Sequence, residues 1–276
     1  MKKVNYTLRI FLTLLFFPLL TLAQNDSLNI IRSNEYFQKG MTFAYHDGCY
    51  IQQLYYDSAL MFNPENDDVY YERATHKIVS GAYLDYFPLI DKAVELNPLK
   101  HLGYRGYVRL FFLKDFEGAS NDLIKIKELS KTGEYAVMAI HVDILIGLSY
   151  AGLKKYPEAI RTYQDFIEKT IREKGEDWVD PYVFVYKAIA HYYSGQMIPA
   201  MQDLDKALKY YEQCAEAHFW KARILNQRMD QEQACQYLNS ALNYAQIGYY
   251  KKDPFKDLPY QLYIEDINSE IGKSCK

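Results

Sequence analysis

One stretch of the chain, from Pro181 to Gly248, contains the same unit twice at an offset of 34 positions. The recurring positions are Ala188 with Ala222, Ala200 with Ala234, Leu204 with Leu238 and Ala207 with Ala241. A unit of this length is too small to bury its own apolar face, so it packs against a neighbouring copy. Alanines at matching positions let paired helices approach closely, and the leucines fill the space beside them. The pattern predicts an array of helical hairpins.

The same spacing continues toward the N-terminus. Asn63-Pro64 and Asn97-Pro98 are again 34 residues apart. Proline cannot continue a helix and biases the preceding residue away from helical dihedral angles, so each pair is predicted to end a hairpin. After a lead-in over residues 24–32, the array is predicted over residues 33–248, with repeats at 33–66, 67–100, 101–134, 140–173, 181–214 and 215–248.

The order of small, aromatic and proline residues within a unit resembles the tetratricopeptide repeat. In the first unit the pattern is Gly40, Phe43, Tyr56, Ala59 and Pro64, and in the fourth it is Ile146-Gly147, Tyr150, Tyr156, Ala159 and Tyr163. Gln52 stands where the family has a second-helix alanine. The resemblance implies an all-α fold, a right-handed α-solenoid of about six helical hairpins followed by a C-terminal capping helix.

Residues 249–276 are predicted to form a linker and that capping helix. The stretch from Tyr249 to Asp257 has the lysine, aspartate and proline composition of a linker. From Leu258 to Ile271 apolar residues recur at helical spacing, with acidic residues between them. A charged outer face is what the exposed end of a repeat array needs. No strand pattern competes with the helices anywhere in the sequence.

Residues 1–23 have the features of a signal peptide: a positively charged start, an apolar run over residues 10–22 and a small-residue cleavage site ending at Ala23. We expect cleavage there and export, to the periplasm or out of the cell. The alternative is an uncleaved membrane anchor, but the run is shorter than the roughly 20 residues that a span needs, and Pro18 interrupts it. No long apolar segment follows, so no membrane span is expected after cleavage.

Charge and motifs argue against several classes of function. The formal net charge is −3 and the basic residues are scattered, so nucleic acid is not an expected partner. The six histidines fall in different units without metal-ligand spacing, which predicts no metal site. The sequence has no glycine-rich phosphate loop and no nucleophile elbow. The prediction is a protein that is not an enzyme and has no cofactor.

Two cysteines are placed by the hairpin arrangement at points that could meet. Cys235 is predicted at the start of the sixth unit's second helix, and Cys275 follows the terminal helix that should run antiparallel to it. Export puts both in an oxidising compartment, where a disulfide can form. The alternative is free thiols, buried or in the tail.

The family resemblance also implies where a partner would bind, because the first helix of each tetratricopeptide unit lines a concave, peptide-receiving groove. The matching positions here are Phe37, Met41, Tyr71, Tyr104, Arg105, Phe111, Ile144, Leu148, Tyr182, Tyr186, Ile189, Phe219, Trp220 and Arg223. This set is aromatic, with Arg105 and Arg223 as its cations, so it departs from the Lys, Asn and Arg clamp by which family members bind C-terminal carboxylates. The alternative for each aromatic residue is core packing between hairpins.

These observations predict an exported, non-enzymatic scaffold that binds another protein or peptide through its concave, aromatic-rich face. The alternative function is binding of a carbohydrate or cell-wall fragment in the same groove, because aromatic rings can stack on sugar faces.

Overall fold

The structure, a computed structural model, describes residues 26–43, 50–253 and 256–275. The predicted signal peptide, residues 1–23, lies outside the described residues. Two compact units are present, Met1–His101 and Leu102–Lys276. Within the described residues, every helix is too short or too polar to cross a membrane.

The first unit contains two helical hairpins. Its helices are α1 over residues 26–41, α2 Tyr50–Phe62, α3 Asp67–Val79 and α4 Tyr83–Leu96. Tyr56 and Ala59 of α2 are buried against Phe37 of α1 and Val69 of α3. The lead-in predicted over residues 24–32 is helical from residue 26, because no glycine or proline before Gly40 interrupts α1.

Gln52, which replaces the alanine usual in the family, has a structural explanation. Its side chain is buried, and its amide donates to the main-chain carbonyls of Gly40, at 3.2 Å, and Phe43, at 3.3 Å. These carbonyls belong to the C-terminal end of α1, where intrahelical partners run out. The glutamine therefore caps α1 from the second helix of the hairpin.

The second unit continues the same architecture. Its helices are α5 Pro98–Val108, which begins at the end of the first unit, α6 Phe116–Leu129, α7 Val142–Gly152, α8 Tyr156–Lys174, α9 Pro181–Tyr193, α10 Met197–Tyr210, α11 Ala215–Gln227, α12 Gln231–Gln246 and α13 Ile264–Ser274. A π-helical turn, Arg109–Leu113, extends α5. Helix α7 packs on α8, α9 on α10, α11 on α12, and α13 on α12. The predicted fold class, helical hairpins with a terminal capping helix, is confirmed.

Pro98 has a different role from the predicted one. It is the first residue of α5, and Asn97 alone separates α5 from the end of α4. Proline is well tolerated at the first helical position, because the N–H that it lacks would have no intrahelical acceptor there. The residue that was predicted to close one hairpin therefore opens the next.

A short β-ribbon precedes α7, although the sequence analysis predicted no strand. Strands β1, Ala136–Val137, and β2, Ile140–His141, pair antiparallel through a turn in which Met138 and Ala139 have φ angles of 49° and 62°. Two-residue strands are too short to produce an alternating apolar pattern, so the sequence carried no signal for them.

The terminal helix is shorter than predicted. The sequence analysis placed an amphipathic helix from Leu258, but α13 begins at Ile264, after Tyr263 as its N-cap residue. Proline at position 259 disfavours helical dihedrals in Leu258, and Tyr260 has a left-handed φ of 61°. Residues 256–263 consequently run as irregular chain, and Leu262 is buried from that chain rather than from a helix.

Candidate functional site

The first helices of three consecutive hairpins in the second unit lie side by side, because α9 contacts both α7 and α11. We call the surface formed by α7, α9, α11 and the end of α5 the first-helix face. Burial divides the predicted partner-binding residues of both units. Buried are Phe37, Phe111, Ile144, Leu148, Tyr182, Tyr186, Ile189, Phe219 and Trp220; half-buried are Tyr71, Tyr104, Arg105 and Arg223; exposed is Met41.

Four of these predicted residues meet at one cavity in the second unit. Phe111, Ile144, Leu148 and Tyr186 line a cavity of about 490 Å³, within the size range of ligand pockets. Its other wall is polar and comes from the C-terminal part of the chain, with Lys251, Lys252, Asp253 and Lys256. The cavity is thus apolar on the helices and charged on the opposite side.

A second, smaller cavity of about 310 Å³ is lined by Phe219, Trp220 and Arg223, together with residues of α13. The Arg223 guanidinium lies 4.7 Å from the centre of the Trp220 ring and 5.1 Å from that of Tyr192. This stacking is a cation–π arrangement, which holds the arginine against the face.

Two of the other predicted partner-binding residues make contacts within the fold. Arg105 makes a two-point ion pair with Asp122 of α6, with nitrogen–oxygen distances of 2.7 and 2.8 Å, and therefore clamps the α5–α6 hairpin. In the first unit, the ring of Tyr71 stacks on that of His101 at 5.0 Å between centroids. Both side chains have internal partners that the sequence did not reveal.

What covers the first-helix face is a part of the chain whose sequence predicts a linker up to Asp257 and a helix from Leu258. We call residues 249–253 and 256–263 the return segment; they connect α12 to α13. The carbonyl of Tyr249 accepts a hydrogen bond from the Ala215 N–H at 3.0 Å, and the Lys251 N–H donates to the Glu216 carboxylate at 2.6 Å. The segment is therefore attached to the start of α11 through its main chain.

Two lysines of the return segment contact aromatic side chains of the face. The Lys251 ammonium is 4.0 Å from the centre of the Tyr182 ring. The Lys256 ammonium donates to the Tyr107 hydroxyl and lies 5.3 Å from the centre of the Phe111 ring. The segment thus reaches from α11 and α9 to the end of α5, and the Lys114 ammonium donates to the carbonyl of Asp257 there.

Tyr260 fixes the far end of the return segment. Its hydroxyl donates to the Ala151 carbonyl at 3.0 Å and lies 2.8 Å from the Tyr156 hydroxyl, while its ring stacks on Tyr193 at 4.8 Å. Tyr260 has a left-handed φ of 61°, which costs energy in a residue with a side chain. Such a backbone conformation persists where the surrounding contacts hold it in place. One sequence signal could have revealed that this segment packs on the face: the apolar and aromatic residues around Pro259 do not fit a solvated linker.

Glu216 is a buried carboxylate at the centre of this attachment. Besides the Lys251 N–H it accepts the Tyr182 hydroxyl at 3.1 Å. Burial raises the pKa of Glu216 above its ordinary value, despite these hydrogen bonds. Burial, and then the Glu216 charge, raise the pKa of the neighbouring Cys214 thiol to about 12, so this buried thiol stays protonated at neutral pH.

The raised pKa of Glu216 predicts a pH-dependent stability. A carboxyl with a raised folded-state pKa contributes most below its unfolded value of 4.5, and that contribution is lost as the pH rises through the folded-state pKa. Glu216→Gln removes the titration, so its stability relative to wild type should increase with pH. Urea unfolding between about pH 4 and about pH 8 measures this difference. The exposed Glu212→Gln is the control, and wild-type and Glu216→Gln curves that stay parallel would contradict the prediction.

Three potential metal ligands meet in the first unit, although the sequence analysis predicted no metal site. Ligand atoms of Asp67, Asp68 and His101 lie within 4.8 Å of one another. The Lys100 ammonium pairs with both carboxylates, and the His101 ring nitrogen is 2.6 Å from Asp67. These pairs already supply the carboxylates with positive charge and a hydrogen-bond donor, so we assign no metal to the cluster.

Cys235 and Cys275 are joined by a disulfide, with their Cα atoms 5.3 Å apart. Cys235 belongs to the first turns of α12 and Cys275 directly follows α13. The bond therefore fastens α13, which follows the return segment in the chain, to the last hairpin.

Comparison with known proteins agrees with this architecture. Residues 144–169, which cover most of α7 and α8, match the family model of the tetratricopeptide repeat. The structure is similar to that of PilF from Pseudomonas aeruginosa, with a TM-score of 0.55, 18% identity and coverage of 88% of this chain and 99% of that one. It is also similar to a tetratricopeptide repeat protein from Parabacteroides merdae, with a TM-score of 0.51, 17% identity and coverage of 92% and 100%.

A third similar structure, yeast Tom70, has a TM-score of 0.48 and 20% identity; the match covers 77% of this chain but 43% of Tom70. No curated protein matches the sequence. The chain therefore contains a tetratricopeptide repeat at residues 144–169, in a fold similar to that of tetratricopeptide repeat proteins.

Proposed function

We propose that the protein is a non-enzymatic scaffold that binds an extended segment of another protein on the first-helix face of its second unit. The observation that carries the proposal is the cavity of about 490 Å³, where Phe111, Ile144, Leu148 and Tyr186 form an apolar wall opposite charged residues. Apolar surface with a few placed polar groups is typical of a binding site. Four of the residues that the family resemblance assigns to partner binding meet there.

The carbohydrate hypothesis has less support from the same residues. Tyr182, Tyr186, Phe219 and Trp220 are all less than one-tenth exposed. Stacking on a sugar requires an open ring face, and these rings are covered by other parts of the chain. A protein segment can instead pack apolar side chains against the apolar wall of the cavity.

We further propose that this binding takes place outside the cytoplasm. The support is the predicted signal peptide, together with a Cys235–Cys275 disulfide that suits an oxidising compartment. Mass spectrometry of the protein recovered from producing cells tests this point, since export with cleavage gives a mature chain beginning at Gln24.

Site-specific photocrosslinking in the producing cells tests the binding face. A photoreactive benzoylphenylalanine is placed at Lys252, which is exposed and borders the cavity. The control position is Glu173, which is exposed near the end of α8. We expect a discrete protein adduct from position 252 and none from position 173, with the crosslink mapping to an extended segment of the partner. Identical adducts from both positions, or none from position 252, would count against the proposal.

A further inference from the structure

The return segment is bound to the first-helix face in the way that an extended peptide ligand would be. Its main chain bonds to Ala215 and to the buried Glu216, and its side chains reach rings of α9 and of the end of α5. Main-chain pairing combined with side-chain contacts at intervals is how extended peptides are recognised in general. The segment occupies the surface that the proposed function gives to a partner.

The contacts of the segment show which chemistry this face selects. Two of the segment's side chains that meet aromatic residues of the face are lysines: the Lys251 ammonium lies over the Tyr182 ring, where the ring quadrupole attracts it, and the Lys256 ammonium donates to the Tyr107 hydroxyl. The face also contributes acidic groups: the buried Glu216 carboxyl accepts the Lys251 N–H, and the Asp180 carboxylate lies 3.9 Å from the Lys251 ammonium. An aromatic face with carboxylates at its edge is complementary to a basic segment.

The segment leaves part of the face open. The cavity of about 490 Å³ lies between its residues 250–253, 256 and 258 and the apolar side chains of α7 and α9. A fully packed core would contain few such voids. The segment is therefore placed on the face without filling it, as a replaceable occupant would be.

We infer that the return segment is an internal ligand of the first-helix face, and that the external partner is an extended basic segment that displaces it. The inference rests on the proposed function and names its partner chemistry. Because α12 holds one end of the segment and α13, fastened by the disulfide, holds the other, its effective concentration at the face is high, about millimolar for a short tether. A free peptide therefore binds wild-type protein weakly and binds more tightly once the internal segment is loosened.

A peptide-binding experiment on the full-length mature protein tests this inference. The probe is a fluorescein-labelled peptide with the sequence of residues 249–263, and fluorescence anisotropy measures its dissociation constant. Lys251→Ala with Lys256→Ala loosens the internal segment while leaving the receptor rings unchanged. The matched control is Lys131→Ala, since Lys131 is exposed, does not line the cavity, and the described residues give it no hydrogen bond or ion pair. We expect at least about tenfold tighter binding to the double variant than to wild type, and no change for the control.

Peptide variants test the proposed chemistry separately. Replacing the two lysines that correspond to Lys251 and Lys256 should weaken binding to the double variant at least about fivefold, whereas replacing the one that corresponds to Lys252 should not. Equal binding by all peptides would overturn the basic preference. If circular dichroism shows that the double variant is folded, and it binds the labelled peptide no more tightly than wild type does, the internal-ligand assignment is overturned.

Two further outcomes separate this inference from its alternatives. A wild-type dimer by light scattering, dissociated by the free peptide, would mean that the segment is exchanged between two copies, and would also overturn the internal assignment. If no peptide binds but the photoreactive residue at position 252 gives a discrete crosslink, the internal-ligand assignment is overturned and the proposed function stands. The absence of that crosslink would instead count against the proposed function itself.

Discussion

Replacing Tyr163 by alanine should lower the free energy of unfolding of the second unit by about 3–5 kcal/mol, the usual cost of removing a buried aromatic ring. Tyr163 of α8 is fully buried, and its ring lies directly over Gly147 of α7. A Cβ on that glycine would approach the ring to 2.3 Å, so the two helices are separated by little more than the ring itself. Urea unfolding measures the loss.

The control for this prediction is Tyr163→Phe, which keeps the ring and removes the hydroxyl. That hydroxyl is buried and has no hydrogen-bond partner among the residues that the structure describes, and burial raises its pKa well above the ordinary value. An unsatisfied buried hydroxyl destabilises a fold, so the phenylalanine variant should be as stable as wild type or up to about 1 kcal/mol more stable. A phenylalanine variant as unstable as the alanine variant would contradict this account and indicate an ordered water bonded to the hydroxyl.

Gly147 and Tyr163 also show why the repeat architecture could be predicted. Each repeat has to bring two helices together at the same few positions, so the small residue on one helix and the ring on the other recur with the repeat. Gly40 and Tyr56 meet in the first unit as Gly147 and Tyr163 do in the second. Contacts that recur at a fixed offset leave a pattern that can be read from a single sequence.

The return segment left no such pattern, because its contacts occur once. Lys256 meets Tyr107 and Tyr260 meets Ala151, which are more than a hundred positions away in the chain. Lysine, aspartate and proline around these residues have the composition of a solvated linker, and local composition does not report what a segment packs against. The apolar and aromatic residues around Pro259, which do not fit a solvated linker, were the one local sign.

The partner-binding residues show the same limit. Their positions on the first helices followed from the repeat pattern, and Phe111, Ile144, Leu148 and Tyr186 do meet at one cavity. Their accessibility did not follow, since exposure of a first-helix ring depends on whatever lies over the face. Tyr182 is buried under Lys251, a contact that no repeat spacing contains.

Replacing Ala200 by leucine should destabilise the α9–α10 hairpin by about 1–3 kcal/mol, the usual cost of overpacking a filled interface. Ala200 of α10 is fully buried at the position that recurs as Ala234 in the next repeat. The larger side chain has to push the two helices apart or adopt a strained rotamer. Hydrogen exchange followed by mass spectrometry locates the effect, because repeats depend mainly on their immediate neighbours.

The matched control is Gln202→Leu, which introduces the same side chain on the exposed face of α10, two residues further along the chain. It should change the free energy of unfolding by less than about 0.5 kcal/mol, as exposed substitutions usually do. For Ala200→Leu, protection should fall in α9 and α10 and less in α8 and α11, while α6 keeps its wild-type rates. An equal loss across the whole second unit would show that its hairpins unfold as one cooperative body, because nearest-neighbour coupling would then be too strong for one loosened interface to open alone.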